Sequence, residues 1–244
     1  MSDFKTKNKI FWRIVKETLV QSIAPTMMYL VAGMVMLLFF AKNYSMSKMI
    51  AWSVVCGVLA LAYDGLLTWL VGGTHYEQLV SGNMKRRSAM NSGRELNITS
   101  YKYEKEYRPW KGFAMGAFAS GLAIIFGILF GIMQEKIDLS HTGEIQDKSV
   151  GLLVLLGFFL SGWSILPFYC ANMWGMGASY WLSLLMAIIP IAVTGATYIW
   201  GAYGKRNKIT REQEIADRAA KAQENKPKKI NYGGLPGTKP KKRK

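Results

Sequence analysis

Apolar residues in this chain gather into five runs, about Ile23 to Ala41, Met49 to Gly72, Gly112 to Met133, Val150 to Ala171 and Ser179 to Tyr203. About 20 apolar residues in a helix cross a bilayer's hydrocarbon core, and each run meets that length with almost no charge inside it. The pattern predicts an all-α fold, a polytopic integral membrane helical bundle with five hydrophobic segments. Between the runs lie a short polar link, a long basic loop over residues 73–111, a mixed loop over 134–149 and an uncharged link containing "NMWGMG". The expected division is an N-terminal segment 1–22, a transmembrane domain 23–203 and a basic tail 204–244.

Before the first run, Phe4, Phe11, Ile14, Val15 and Leu19 recur near helical spacing while Lys5, Lys9, Lys16 and Glu17 point elsewhere. That amphipathic pattern suits a helix lying in the headgroup plane, and equally a helical extension of the first span. Pro25 would sit in the span's first turn, where its missing N–H is tolerated. The basic N-terminus is expected to be a retained anchor, because no short apolar core ends in a small-residue cleavage site. In the tail, "TREQEIADRAAKAQE" reads as an exposed helix with a capping-box start. From Lys226 the Pro, Gly and Lys content predicts disorder.

Charge changes the picture by opposing that five-span count. The 31 Lys and Arg outnumber the 15 Asp and Glu, for a net charge of +16, and they concentrate in the N-terminus, the long loop and the tail. The positive-inside rule asks for all three in the cytoplasm, yet five crossings put the two ends on opposite sides. The conflict falls on Val150–Tyr203, where Pro167, Gly175, Gly177, Pro190 and Gly195 can break a helix. The favoured expectation is a last segment that is broken or re-entrant, with a cytoplasmic tail; the alternative is a tail outside, since charges far from a span weigh little. The expected setting is a bacterial plasma membrane, multi-pass, with the N-terminus cytoplasmic.

The basic residues suggest partners. Lys85, Arg86, Arg87, Arg108 and Lys111 in the loop and Lys228, Lys229, Lys241 and Lys242 in the tail suit acidic headgroups. "YKYEKEYRPWKG" interleaves aromatic and basic side chains in a way that can stack bases. Tyr and Trp beside a span belong first to the membrane interface, so acidic lipid is favoured over nucleic acid. Protein partners or a homo-oligomer are expected as well.

One acid stands inside an apolar run. Asp64 is costly there and marks a candidate site, with Tyr63, Thr68 and Ser53 as its polar neighbours. Steps of three and four place Ser53, Gly57, Ala60, Asp64 and Thr68 on one face. Gly112, Gly116, Ser120, Ala123, Gly127 and Gly131 form a similar small-residue stripe on the third run. Such stripes let helices approach closely, and the two are expected to pack on each other. The fifth run carries a third stripe through Ser183, Ala187, Pro190, Thr194, Thr197 and Gly201.

The pair Tyr63-Asp64 resembles the first motif of the intramembrane aspartyl proteases, which implies a second aspartate in a Gly-x-Gly-Asp motif sharing its proton. The sequence contains no such motif and no second intramembrane acid, and the protease reading falls. Gly-x-Ser-x-Gly, His-Glu-x-x-His and Walker A runs are also missing. Cys56, Cys170, His75 and His141 lack metal spacing, so neither cofactor nor metal is expected. Asp64 then has two main readings, a structural hydrogen-bond acceptor or a handler of ions or substrate. The expected function is a non-enzymatic transport or permease-type subunit working with partners. The alternatives are a scaffold whose basic loop and tail bind acidic lipid, ribosome or nucleoprotein, and an intramembrane enzyme.

Overall fold

The computed structural model describes residues 2–41, 45–91, 103–141 and 148–224. Among them are seven α-helices and no strand: α1 (Ser2–Ala41), α2 (Met46–Asn91), α3 (Trp110–Ala119), α4 (Gly121–Ile132), α5 (Gln134–His141), α6 (Lys148–Met173) and α7 (Ser183–Glu224). Single 3₁₀ turns precede α3 and α7, at Tyr103–Lys105 and Tyr180–Leu182. The expected class, a polytopic helical membrane bundle, is what is found. α1, α2, α6 and α7 are each long and apolar enough to cross a membrane, and α3 with α4 makes a fifth candidate. The chain divides into two compact units, Met1–Lys205 and Arg206–Lys244.

In the first unit α1 is one helix through Pro25, so of the two expected readings of the N-terminal segment the helical extension of the first span is the one found. The reason is a shared buried face: Ile14, Thr18, Ser22, Pro25, Tyr29 and Met36 are all buried at helical spacing, and the same stripe serves both halves. Phe11 and Leu19 remain exposed. α2 likewise runs past Gly72 to Asn91, so the first half of the expected basic loop is helix.

Contacts fix the relative directions. Phe39 stacks on Trp52, Tyr29 bonds Asp64 and Gln21 meets His75, so α1 and α2 are antiparallel. Gly65 lies beside Val193 and Thr197, Gly72 beside Tyr198, and Gly73 beside Gly201 and Lys205, so α2 and α7 are parallel. α1 therefore starts, and the first unit's part of α7 ends, on one face, called here the N-terminal face. The opposite one is the distal face.

α3 and α4 meet at a bend of 52°. The bend falls at Ser120-Gly121, a pairing at which helices commonly kink. The bent pair nonetheless traverses the bundle, because Gly112 meets Tyr198, Gly116 meets Thr194, Gly127 meets Ser183 and Gly131 meets Trp181. These contacts follow α7 antiparallel from the N-terminal to the distal side.

α6 does not cross. At Ser161 the backbone leaves helical geometry (φ −143°, ψ 22°), and the Phe158 ring meets the Tyr169 ring at 4.6 Å. A straight helix would hold those residues about 16 Å apart along its axis, so the two arms fold back on each other. Gly157 packs on Phe126 and Phe130 of α4, Trp163 packs on Tyr29, and Asn172 reaches Asp138 of α5. The helix thus dips to mid-depth and returns to the distal face. The Ser161 hydroxyl donates to the Gly157 carbonyl at 2.9 Å and that of Ser164 to the Ser161 carbonyl at 3.0 Å, so carbonyls at the break keep donors, as irregular backbone at membrane depth requires.

The last segment, the one expected to break, is instead a continuous helix through Pro190. The fold-back belongs to the segment before it. Four segments that traverse the bundle and one helix that folds back among the described residues leave both ends of the first unit on one face of the bundle. That removes the conflict between crossing number and charge.

The second unit is described to Glu224. Its residues 206–224 are helical and largely exposed, with Lys208 and Glu212 paired one turn apart at 3.9 Å. The disorder expected from Lys226 falls outside the described residues.

Candidate functional site

Asp64 is fully buried near the middle of α2. The Tyr29 hydroxyl donates to its Oδ2 at 2.8 Å, while Oδ1 is buried without a hydrogen-bond partner. One turn further on, Thr68 donates to the Asp64 carbonyl and meets the Thr197 hydroxyl of α7 at 2.6 Å. Tyr63 points away from the bundle and is exposed. Adjacency in sequence misassigns it, since neighbours on a helix lie about 100° apart.

The small-residue stripes pack differently from expectation. Gly112, Gly116, Gly127 and Gly131 close on α7, not on α2, and Ser120 sits at the bend with a buried, unpartnered Oγ. Ala60 is buried. Gly57 has open space where a side chain would lie, so it packs no helix. Together with Ser53 it lines a cavity of about 380 Å³ between α1, α2, α6 and α7.

That cavity runs through the distal half of the bundle. Met49, Ile50 and Trp174 stand at its outer end, with Trp163 and Cys170 on the α6 side and Tyr29 at its inner end. Asp64 lies just behind Tyr29. α2 and α7 diverge around the cavity and converge below it, where Gly72 abuts the Tyr198 carbonyl and Gly201 abuts the Trp69 carbonyl. That double contact closes the bundle toward the N-terminal face.

A second polar cluster lies beyond the closure. His75 follows Asp64 by three helical turns on the same face of α2. Its Nδ1 meets the Tyr198 hydroxyl at 2.8 Å and its Nε2 meets the Gln21 amide nitrogen at 3.1 Å. That amide also donates to Glu17 at 3.0 Å, which fixes the Gln21 nitrogen as a donor and makes Nε2 an acceptor. His75 is thereby assigned as neutral with its proton on Nδ1.

Tyr107 stacks on Tyr198, its backbone N–H bonds the His75 carbonyl, and Lys111 closes the same corner. Lys111 is buried, and its ammonium donates to the carbonyls of Glu104 and, at 2.8 Å, Glu106. It is committed inside the fold and is not presented to a headgroup, contrary to its expected role. At the surface nearby, Lys205 pairs with Glu77. Lys111→Met is expected to orphan both carbonyls, costing about 1–3 kcal/mol, and limited proteolysis within residues 103–109 should accelerate accordingly.

Lys85 is exposed and Arg108 half-buried. The side chains of Arg86 and Arg87, and all of Lys228, Lys229, Lys241 and Lys242, lie outside the described residues. Among the described residues no three His, Cys, Asp or Glu side chains come together to hold a metal ion. Sequence reasoning missed Tyr29, Gln21 and Tyr198 as members of these clusters. His75 carried a usable signal, its place on the Asp64 face, but Tyr29 is brought in only by tertiary packing.

The fold and the site define a multi-pass helical membrane protein with a buried carboxylate at the end of an apolar cavity. No family model, no curated protein and no solved structure matches the chain.

Proposed function

We propose that the chain is a non-enzymatic transport component, a permease-type membrane subunit working with partners, in which Asp64 marks the inner end of a ligand path. One observation carries this reading: a fully buried carboxylate with an unpartnered oxygen lies directly behind the residue that ends a cavity. An isolated charge at such depth is costly, and a purely structural acceptor would be expected to have both oxygens satisfied. The closure at Gly72 and Gly201 fits a path shut toward one face. In this reading the N-terminal face is cytoplasmic, as the positive-inside rule favours, in a bacterial plasma membrane.

The test uses purified protein in liposomes on a solid-supported membrane, challenged with concentration jumps of organic cations, anions and neutral solutes. A solute-dependent translocation current is expected, reduced at least tenfold in Asp64→Asn and unchanged in Tyr63→Phe. Wild-type protein that moves no solute, or an Asp64→Asn variant equal to wild type, would overturn the role given to Asp64.

The basic segments support a second reading, a membrane-anchored scaffold that binds acidic lipid. The parallel course of α2 and α7 favours it, because it brings the start of α1, the end of α2 and Lys205 to one face of the first unit. Deleting residues 226–244 would then weaken flotation with acidic vesicles in a salt-sensitive way, whereas the transport reading expects little change.

A further inference from the structure

We propose that the cavity between α1, α2, α6 and α7 binds a lipophilic organic cation, whose charge Asp64 meets when the Tyr29 side chain moves aside. The inference rests on the transport reading for its biological sense and names the substrate class of the same site.

Three features of the cavity select for this chemistry. Its volume, about 380 Å³, falls in the range that takes a drug-sized organic molecule. Its lining is apolar and contains no Lys, Arg, His, Asp or Glu, so an anion entering it would find no countercharge and a strongly hydrated ion would lose its shell without replacement. Three aromatic side chains, Tyr29, Trp163 and Trp174, line it, and aromatic faces attract organic cations most where water is excluded.

The charge at its inner end completes the selection. Asp64 Oδ2 is held by Tyr29, and Oδ1 has no partner. Tyr29 belongs to both structures: its ring lines the cavity and packs at 4.7 Å on Trp163, and its hydroxyl holds the carboxylate. A rotation of that one side chain would join the cavity to an acceptor oxygen that has no hydrogen-bond partner among the described residues.

Entry from the membrane is also built in. Val54 and Val58 of α2 and Ile189 of α7 line the cavity and are at the same time exposed on the outside of the bundle. The gap between the two diverging helices therefore faces lipid, and a ligand already dissolved in the bilayer can reach it laterally. A neutral acyl chain would fill the same apolar walls but would leave the Asp64 oxygen unused.

Tetraphenylphosphonium and tetraphenylborate test the idea because they share shape and size and differ in sign. Quenching of tryptophan fluorescence is titrated with each ion in detergent-solubilised full-length protein, with empty micelles subtracted. Wild type is expected to bind the phosphonium at least tenfold more tightly than the borate. Asp64→Asn should erase that preference while keeping residual binding to the apolar walls, and Tyr63→Phe should leave it intact. Equal binding of the two ions by wild type, no binding of either, or a preference that survives in Asp64→Asn would each overturn the proposal. So would a co-purified lipid, seen by mass spectrometry, that the phosphonium fails to displace. Binding preference without any translocation current would leave this inference standing and remove the transport reading. A current carried by anionic solutes without cation preference would do the reverse.

Discussion

Replacing Gly72 or Gly201 by alanine is expected to lower the melting temperature of the detergent-solubilised protein by about 6–12 °C, the equivalent of about 3 kcal/mol. At both positions a Cβ would overlap a backbone carbonyl oxygen of the facing helix, that of Tyr198 for Gly72 and that of Trp69 for Gly201. A carbonyl inside a helix cannot turn away as a side-chain tip can, so the methyl must push α2 and α7 apart along their line of closest approach. The contacts that depend on this approach would loosen together, including the Thr68–Thr197 hydroxyl pair and the His75–Tyr198 bond. Gly57→Ala supplies the control: nothing lies within 4 Å of the added methyl, and alanine favours helix over glycine, so its melting temperature should hold or rise slightly.

A second large effect is expected from the Tyr29–Asp64 pair, and its sign pattern separates structure from function. Tyr29→Phe removes the only side-chain donor to Asp64 among the described residues, leaving both carboxyl oxygens without a partner, and should cost about 1–3 kcal/mol. Asp64→Leu orphans the buried Tyr29 hydroxyl and should cost a similar amount. The double variant leaves no polar group unsatisfied and should recover most of the loss, because replacing both members of a buried polar pair with apolar groups is close to neutral. Thermal unfolding of the four proteins gives the cycle. Full recovery of stability with loss of translocation current would show that the pair is retained for what it handles and not for the fold. A double variant as unstable as the sum of the singles would make Asp64 a structural clasp.

Much of the architecture was legible from the sequence because hydrophobic length and charge segregation are strong signals. The five runs mark where the chain is apolar, and the basic ends implied an even number of crossings before any contact was known. Pattern alone could not assign the irregular segment. Pro190 is conspicuous in sequence but sits inside a continuous helix, whereas the fold-back occurs at Ser161, whose signal is only a hydroxyl able to cap the Gly157 carbonyl. The glycines of α3 and α4 do pack closely on a neighbour, whereas Gly57 of the Asp64 stripe faces open space, and a stripe does not name its partner. The glycines of α3 and α4 close on α7, and the face bearing Asp64 meets Tyr29 of α1 and, at Thr68, α7. Lys111 shows the same limit for charge. A lysine beside a span reads as a headgroup contact, and only the path of the preceding turn reveals the carbonyls of Glu104 and Glu106 that its ammonium holds.

The site depends on α6 dipping from the distal face and returning to it, since its second arm supplies Trp163 and Cys170 to the cavity wall and its apex meets α1. Side-specific labelling tests this most directly. Single cysteines are introduced by Ser81→Cys, Ser149→Cys and Met176→Cys in a background lacking Cys56 and Cys170, and sealed vesicles of known orientation are treated with a membrane-impermeant maleimide. Ser149→Cys and Met176→Cys should be labelled from the same side, with Ser81→Cys labelled from the other. Labelling of Ser149→Cys and Met176→Cys from opposite sides would make α6 a full crossing and contradict the fold on which the cavity rests.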